Sequence, residues 1–157
     1  MITASEETGE TGLRKTIKLP CGELVPALGL GTWQMGEIYR RRAEELATLQ
    51  MALDIGVSLI DTAEMYGNGR AEELVGLALQ GRREKAFLVS KVLPHHATRE
   101  DVVAACERSL TRLRTDYLDL YLLHWPGSVP LSETIEGFKI LQLSSKIRLF
   151  GVSNFDA

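Results

Sequence analysis

The run Leu118-Asp119-Leu120-Tyr121-Leu122-Leu123-His124 is too short for a helix and reads as a buried strand that ends on a polar residue. On either side of it the hydrophobic period changes to that of a helix. Upstream, Val103, Cys106, Leu110 and Leu113 form a stripe opened by Thr98, with Asp101 three residues later, close to a capping box. Downstream a helix is expected over 132–143, with Ile135, Phe138 and Leu141 or Gln142 on its inner side. Further out, short apolar runs recur at Ala27 to Gly31, Ser58 to Asp61, Phe87 to Lys91 and Ile147 to Asn154. Two more helical stripes lie among them: Ala43, Leu46, Leu49 and Leu53, stopping at Gly56, and Ala71, Leu74, Val75 and Ala78, ending before Gly81. Strands alternating with helices imply parallel pairing through right-handed crossovers, so the fold class is α/β. The five strand ends at Gly31, Asp61, Lys91, His124 and Asn154 stand 30, 30, 33 and 30 residues apart. Such a regular repeat fits a (β/α)8 TIM barrel better than an open sheet, with about five of its eight strands present. Ahead of the repeat, Thr16 to Leu19 and Glu23 to Val25 flank Pro20-Cys21-Gly22, the spacing of a β-hairpin.

Composition narrows the function. In 157 residues, 18 Lys and Arg stand against 21 Asp and Glu, a net charge of −3 that gives nucleic acid nothing to bind. No apolar run reaches the roughly 18 to 20 residues that cross a bilayer, so no membrane partner is expected. Residues 1–13 hold Glu6, Glu7 and Glu10 among Thr, Ser and Gly and are expected to be a flexible leader ahead of a single domain over 14–157. Cys21 and Cys106 lack the company of a zinc spacing and read as reduced thiols of a cytoplasmic protein.

Ligands of a parallel α/β fold meet the carboxyl ends of the strands, and here those ends carry Asp61, Lys91 and His124, with Tyr66 in the segment after Asp61. Singly each has an ordinary reading: a helix N-cap, a lysine snorkelling to solvent, a structural histidine, a surface or core tyrosine. Together at one mouth they are a device for delivering a proton to a carbonyl oxygen. A free tyrosine ionises at a pKa of about 10, and an ammonium held beside it favours the phenolate. Lys91 is placed to do this, Asp61 to keep Lys91 charged, and His124 to orient the substrate oxygen. No side chain supplies hydride, so a nicotinamide or flavin is required. A Rossmann reading of Gly29 and Gly31 fails because Gln34 stands where the third glycine belongs. His95-His96 lacks a third ligand and reads as a polar loop, not a metal site; Arg40-Arg41-Arg42 reads as a solvated helix start.

Five segments in register carry a resemblance: Gly29-Leu30-Gly31-Thr32-Trp33, Asp61-Thr62-Ala63-Glu64-Met65-Tyr66-Gly67, Ser90-Lys91, Leu122-Leu123-His124-Trp125-Pro126 and Gly151-Val152-Ser153-Asn154-Phe155. Over about residues 14–157 the sequence resembles the aldo-keto reductases. The resemblance implies a catalytic tetrad of Asp61, Tyr66, Lys91 and His124, with Tyr66 as general acid when a carbonyl is reduced. It further implies NADPH extended across the barrel mouth, Ser153 and Asn154 on the nicotinamide carboxamide, and Gly31, Thr32 and Asp61 near the nicotinamide ribose. Trp33 and Trp125 would wall the site of a small-molecule carbonyl substrate. The family's steroid double-bond reductases replace the histidine by Glu, so His124 favours ordinary aldehyde and ketone reduction. Set against the whole barrel, the expectation is an N-terminal part, C-terminally truncated, whose exposed edges lend themselves to self-association. Two alternatives stay open: a catalytically inactive fragment, and a non-catalytic binding or regulatory relative that keeps the reductase shell.

Overall fold

The structure, a computed structural model, describes residues 15–156, and the leader expected over 1–13 lies outside the described residues. Strands β1 (Thr16–Lys18) and β2 (Leu24–Pro26) pair antiparallel around a turn in which Gly22 takes φ +92°, a region that glycine enters without steric cost. Strand and helix then alternate: β3 (Gly29–Gly31), α1 (Arg42–Asp54), β4 (Leu59–Asp61), α2 (Arg70–Ala78), β5 (Phe87–Val92), α3 (Arg99–Leu113), β6 (Leu118–Leu123), α4 (Leu131–Leu143) and β7 (Ile147–Val152). The strands form one parallel sheet in the order β3-β4-β5-β6-β7. Each helix packs on the next, α1 on α2, α2 on α3 and α3 on α4. Sequential strand order with consecutive helices in contact is the arrangement of a partial (β/α)8 barrel; a doubly wound sheet reverses its strand order and divides its helices between two faces.

The core lies between strands and helices, around Leu49, Ile60, Leu88, Leu113, Tyr121 and Phe138. Side chains alternate across each strand, so Ser90 and Tyr121 share the helix-facing side while their neighbours Lys91 and Leu122 face the other way. The Thr98 cap forms as its spacing predicts: its hydroxyl accepts the Asp101 N–H at 3.2 Å. The inner face of α4 differs from the apolar stripe. Thr134, Gly137, Phe138 and Leu141 are buried, whereas Ile135 is half-buried and Gln142 exposed. Close helix packing is the reason. The Thr134 hydroxyl donates to Ala97 O at 2.7 Å, and a side chain at Gly137 would meet Arg99 O at 2.8 Å, so small residues take the contact.

Opposite the carboxyl ends of the strands, Asp119 is 3% exposed and accepts from Leu88 N–H, Arg83 and Arg148. Arg148 also donates to Glu23, beside β2, which pins the hairpin to this end of the sheet.

Candidate active site

The strand tips are stitched together beyond the ends of the strands. Thr32 N–H donates to Asp61 O at 3.0 Å, Thr62 N–H to Val89 O at 2.9 Å, His124 N–H to Val92 O at 3.0 Å and Ser153 N–H to Leu123 O at 2.9 Å. Residues just past β3, β4, β6 and β7 are thus held by backbone bonds to the neighbouring strand, and their side chains project from a rigid base.

Lys91, 6% exposed on β5, is the hub of this base. Its ammonium reaches the Asp61 carboxylate at 2.6 Å, Thr62 O at 3.1 Å and the Tyr66 hydroxyl at 3.4 Å. A buried ammonium needs such partners to remain charged. Tyr66 stands on the turn between β4 and α2, where Gly67 (φ +57°), Asn68 (φ +55°) and Gly69 (φ +86°) follow in left-handed conformation. Two glycines and an asparagine are the residue types that tolerate this geometry, which explains the composition of the turn. The Tyr66 and His124 rings meet edge to face, with centroids 5.7 Å apart. Burial, and after it the Lys91 charge, push the His124 imidazole below its ordinary value, against a smaller pull from Asp61 and Glu64. Both effects favour the neutral ring. Its Nδ1 is buried without a partner among the described residues.

The remaining predicted residues sort by exposure. Gly31 is exposed, and nothing lies within 4 Å of where a side chain would start. Thr32 is fully buried and donates its hydroxyl to Asp61 O at 3.1 Å, so it braces the Asp61 backbone. The Asn154 amide donates to His124 O at 2.9 Å and to Ser153 Oγ at 3.1 Å, leaving its carbonyl oxygen uncommitted among the described residues. Trp33 is 69% exposed, and Trp125 is half-buried, its ring centroid 4.7 Å from that of His124. Cys106 is buried and Cys21 exposed, both as free thiols.

Two carboxylates next to this set were not singled out from the sequence. Glu64, 8% exposed, accepts Leu93 N–H at 2.8 Å and His96 Nδ1 at 3.0 Å, tying the segment after β4 to the segment after β5. That contact gives the second imidazole of His95-His96 a structural partner. Among the described residues no group of three or more His, Cys, Asp or Glu is arranged to hold a metal ion, and no helix is long and apolar enough to cross a membrane. Glu72, with no exposed surface, bonds Ser90 and Arg112 behind β5. Neither stands in the periodic apolar pattern that marks inward-facing positions, so the pattern alone passes over both.

Comparison with known proteins gives one consistent result. The profile of the Aldo/keto reductase family matches residues 27–157. Methylglyoxal reductase YeaE of Escherichia coli strain K12 is 52% identical over 143 residues, which cover 91% of this chain and 50% of that protein. Aldo-keto reductase YhdN of Bacillus subtilis strain 168 is 44% identical over 142 residues, covering 82% of this chain and 43% of that one. Among solved structures, an aldo/keto reductase from Klebsiella pneumoniae in complex with NADP and acetate superposes with a TM-score of 0.87 at 52% identity, over 92% of this chain and 51% of that chain. The chain spans about half the length of the curated relatives it matches.

Proposed function

The chain belongs to the aldo/keto reductase family, and on that premise we propose that it carries the proton-transfer site of an NADPH-dependent reduction of aldehydes or ketones to alcohols. The observation that carries this reading is the single ammonium of Lys91 shared between the Asp61 carboxylate at 2.6 Å and the Tyr66 hydroxyl at 3.4 Å.

The residues present fit a nicotinamide cofactor. A carboxamide needs both a donor and an acceptor, and the Asn154 carbonyl oxygen and the Ser153 hydroxyl offer such a pair beside the His124 backbone. The open space over Gly31 accepts a flat ring or a sugar without displacing a side chain. Thr32 and Asp61 stand beside it as the ribose contacts, Thr32 acting through its bond to Asp61. When bound, the reduced cofactor supplies hydride to the carbonyl carbon.

The chain's own groups manage the oxygen. Tyr66 gives its hydroxyl proton to the carbonyl oxygen as negative charge develops there, and Lys91 stabilises the phenolate left behind. Asp61 holds the ammonium in place and charged. His124, whose burial favours the neutral ring, offers a ring N–H to the same oxygen and fixes its direction. Trp33 and Trp125 form apolar walls that favour a small carbonyl compound over a charged one. A 2-oxoaldehyde is the first substrate to try, because the Escherichia coli relative is a methylglyoxal reductase. The thiols of Cys21 and Cys106 support a cytoplasmic setting.

The test is a titration of the purified chain with NADPH, followed by fluorescence, and then addition of methylglyoxal or a simple aromatic aldehyde. Quenching or enhancement that saturates, followed by NADPH consumption matched by alcohol, is the expected result. Saturable binding without consumption favours the binding or regulatory alternative, and neither binding nor consumption favours the inactive one.

A further inference from the structure

Behind the strand that carries Lys91 lies a buried polar chain with no part in proton transfer. Ser90, the neighbour of Lys91 on the opposite face of β5, donates its hydroxyl to Glu72 Oε1 at 2.6 Å. The other carboxylate oxygen of Glu72 accepts Arg112 Nε at 2.6 Å, and Arg112 Nη2 continues to Ser109 Oγ at 3.2 Å. Ser90 and Glu72 have no exposed surface. Burying a carboxylate this completely is costly unless both oxygens are bonded, and an apolar pair of the same shape would fill the space as well. What an apolar pair lacks is a fixed register between helix and strand.

That register matters because of where Glu72 stands. It lies in the first turn of α2, six residues after Tyr66, and the turn between them passes through three left-handed residues. Backbone bonds from Tyr66 N–H to Ala63 O at 3.0 Å and from Asn68 N–H to Met65 O at 3.1 Å hold the turn locally, but they fix its backbone and not its distance from β5. The segment from Tyr66 to Glu72 is instead closed into a ring at both ends on β5: the Tyr66 hydroxyl faces Lys91 at 3.4 Å and the Glu72 carboxylate grips Ser90. Arg112 closes a second contact, since a side chain at Gly69 would lie 2.6 Å from its Cδ. The end of α3 is held to α2 as well, because a side chain at Gly76 would lie 2.7 Å from Arg112 O.

We propose that the Ser90–Glu72–Arg112 chain is the positioning device of the site: it locks the helix that follows the Tyr66 turn to the strand that bears Lys91, and so sets the distance between phenol and ammonium. The three are positioning residues, acting through Tyr66 and Lys91 without touching a ligand.

The effect on rate rests on the proposed reduction, whereas the effect on geometry does not, and the experiment reads both. The protein is labelled with carbon-13 in its tyrosine rings, and the Tyr66 signal is identified by its loss in Tyr66→Phe. Ser90→Ala removes one hydroxyl and leaves Glu72 on Arg112, so a folded protein is expected. The Tyr66 ring signal should then shift or broaden while those of Tyr39 and Tyr117, remote from the chain of bonds, stay in place. In turnover, kcat should fall roughly tenfold with KM for the carbonyl unchanged, as expected of a misplacement of well under 1 Å. Glu72→Gln, which keeps the shape and weakens both bonds, should move the same signal. An unmoved Tyr66 signal in either folded variant overturns the proposal, whatever the rate does. A displaced signal in a chain that reduces no carbonyl leaves the positioning device standing and removes the proposed function.

Discussion

Tyr66→Phe is expected to lower the turnover of aldehyde reduction by about 10²- to 10⁴-fold, the range lost with a positioned general acid. That corresponds to about 3–5 kcal/mol of transition-state stabilisation. The substitution removes one oxygen from a half-buried ring and leaves the Lys91–Asp61 pair at 2.6 Å intact, so thermal stability and NADPH affinity should hardly change. The loss should therefore lie in kcat. His124 is the other group proposed to face the same oxygen, and burial, which pushes its imidazole below the ordinary value, favours the neutral ring that orients over the charged one that protonates. If the phenylalanine variant turned over within a fewfold of the wild type, the proton would have to come from elsewhere, and the proton-transfer role given to the Lys91–Tyr66 contact would be wrong. Steady-state rates with a simple aldehyde, taken beside a fluorescence titration of NADPH, distinguish a lost acid from a lost cofactor.

The strand ends and the residues at them were legible in sequence for one physical reason. A parallel sheet built from short crossovers brings all its carboxyl ends to one side, so residues about thirty positions apart share a mouth once the repeat is recognised. Lys91 beside Asp61 follows from that alone. The buried ionic groups on the other faces were not legible. Glu72 stands in a first helical turn, where acidic residues are common because the helix dipole favours them, and nothing local distinguishes a solvated one from one bonded to Ser90. Its partner Arg112 lies 40 residues away on another helix. The inner face of α4 was drawn from apolar residues alone, which passes over Thr134 and Gly137, whose small size is what lets α4 approach α3. Periodicity finds large buried side chains and is blind to close backbone contact.

Asp119 is the strongest case of a signal present in the sequence and passed over, since an acidic residue inside Leu118-Asp119-Leu120-Tyr121 has to be paired or exposed. It is paired three times: with Leu88 N–H at 2.8 Å, Arg83 Nη2 at 2.7 Å and Arg148 Nη1 at 2.7 Å. Asp119→Ala strips all three at once. Leu88 N–H loses its acceptor inside the sheet, and Arg83, whose side chain is 17% exposed, is left as a largely buried charge facing none. Breaking a buried ion pair from one side costs about 3–5 kcal/mol. Arg148 is 48% exposed and regains water, so its share is small. At about 2–4 °C per kcal/mol for a chain of this size, the melting temperature should fall by roughly 6–20 °C. Asp119→Asn keeps an acceptor for Leu88 N–H and discards the charge, so it should fall between the two. The hairpin supplies a local readout, because Arg148 joins Asp119 to Glu23 beside β2. Hydrogen exchange should quicken at Leu88, and then at Ile17 and Val25, before the rest of the sheet opens. Were Asp119→Ala to melt within 2 °C or so of the wild type, the acceptors that Arg83 keeps, Thr115 Oγ1, Ala86 O and Tyr117 O, would be enough to hold its charge, and the weight given to the carboxylate would be wrong.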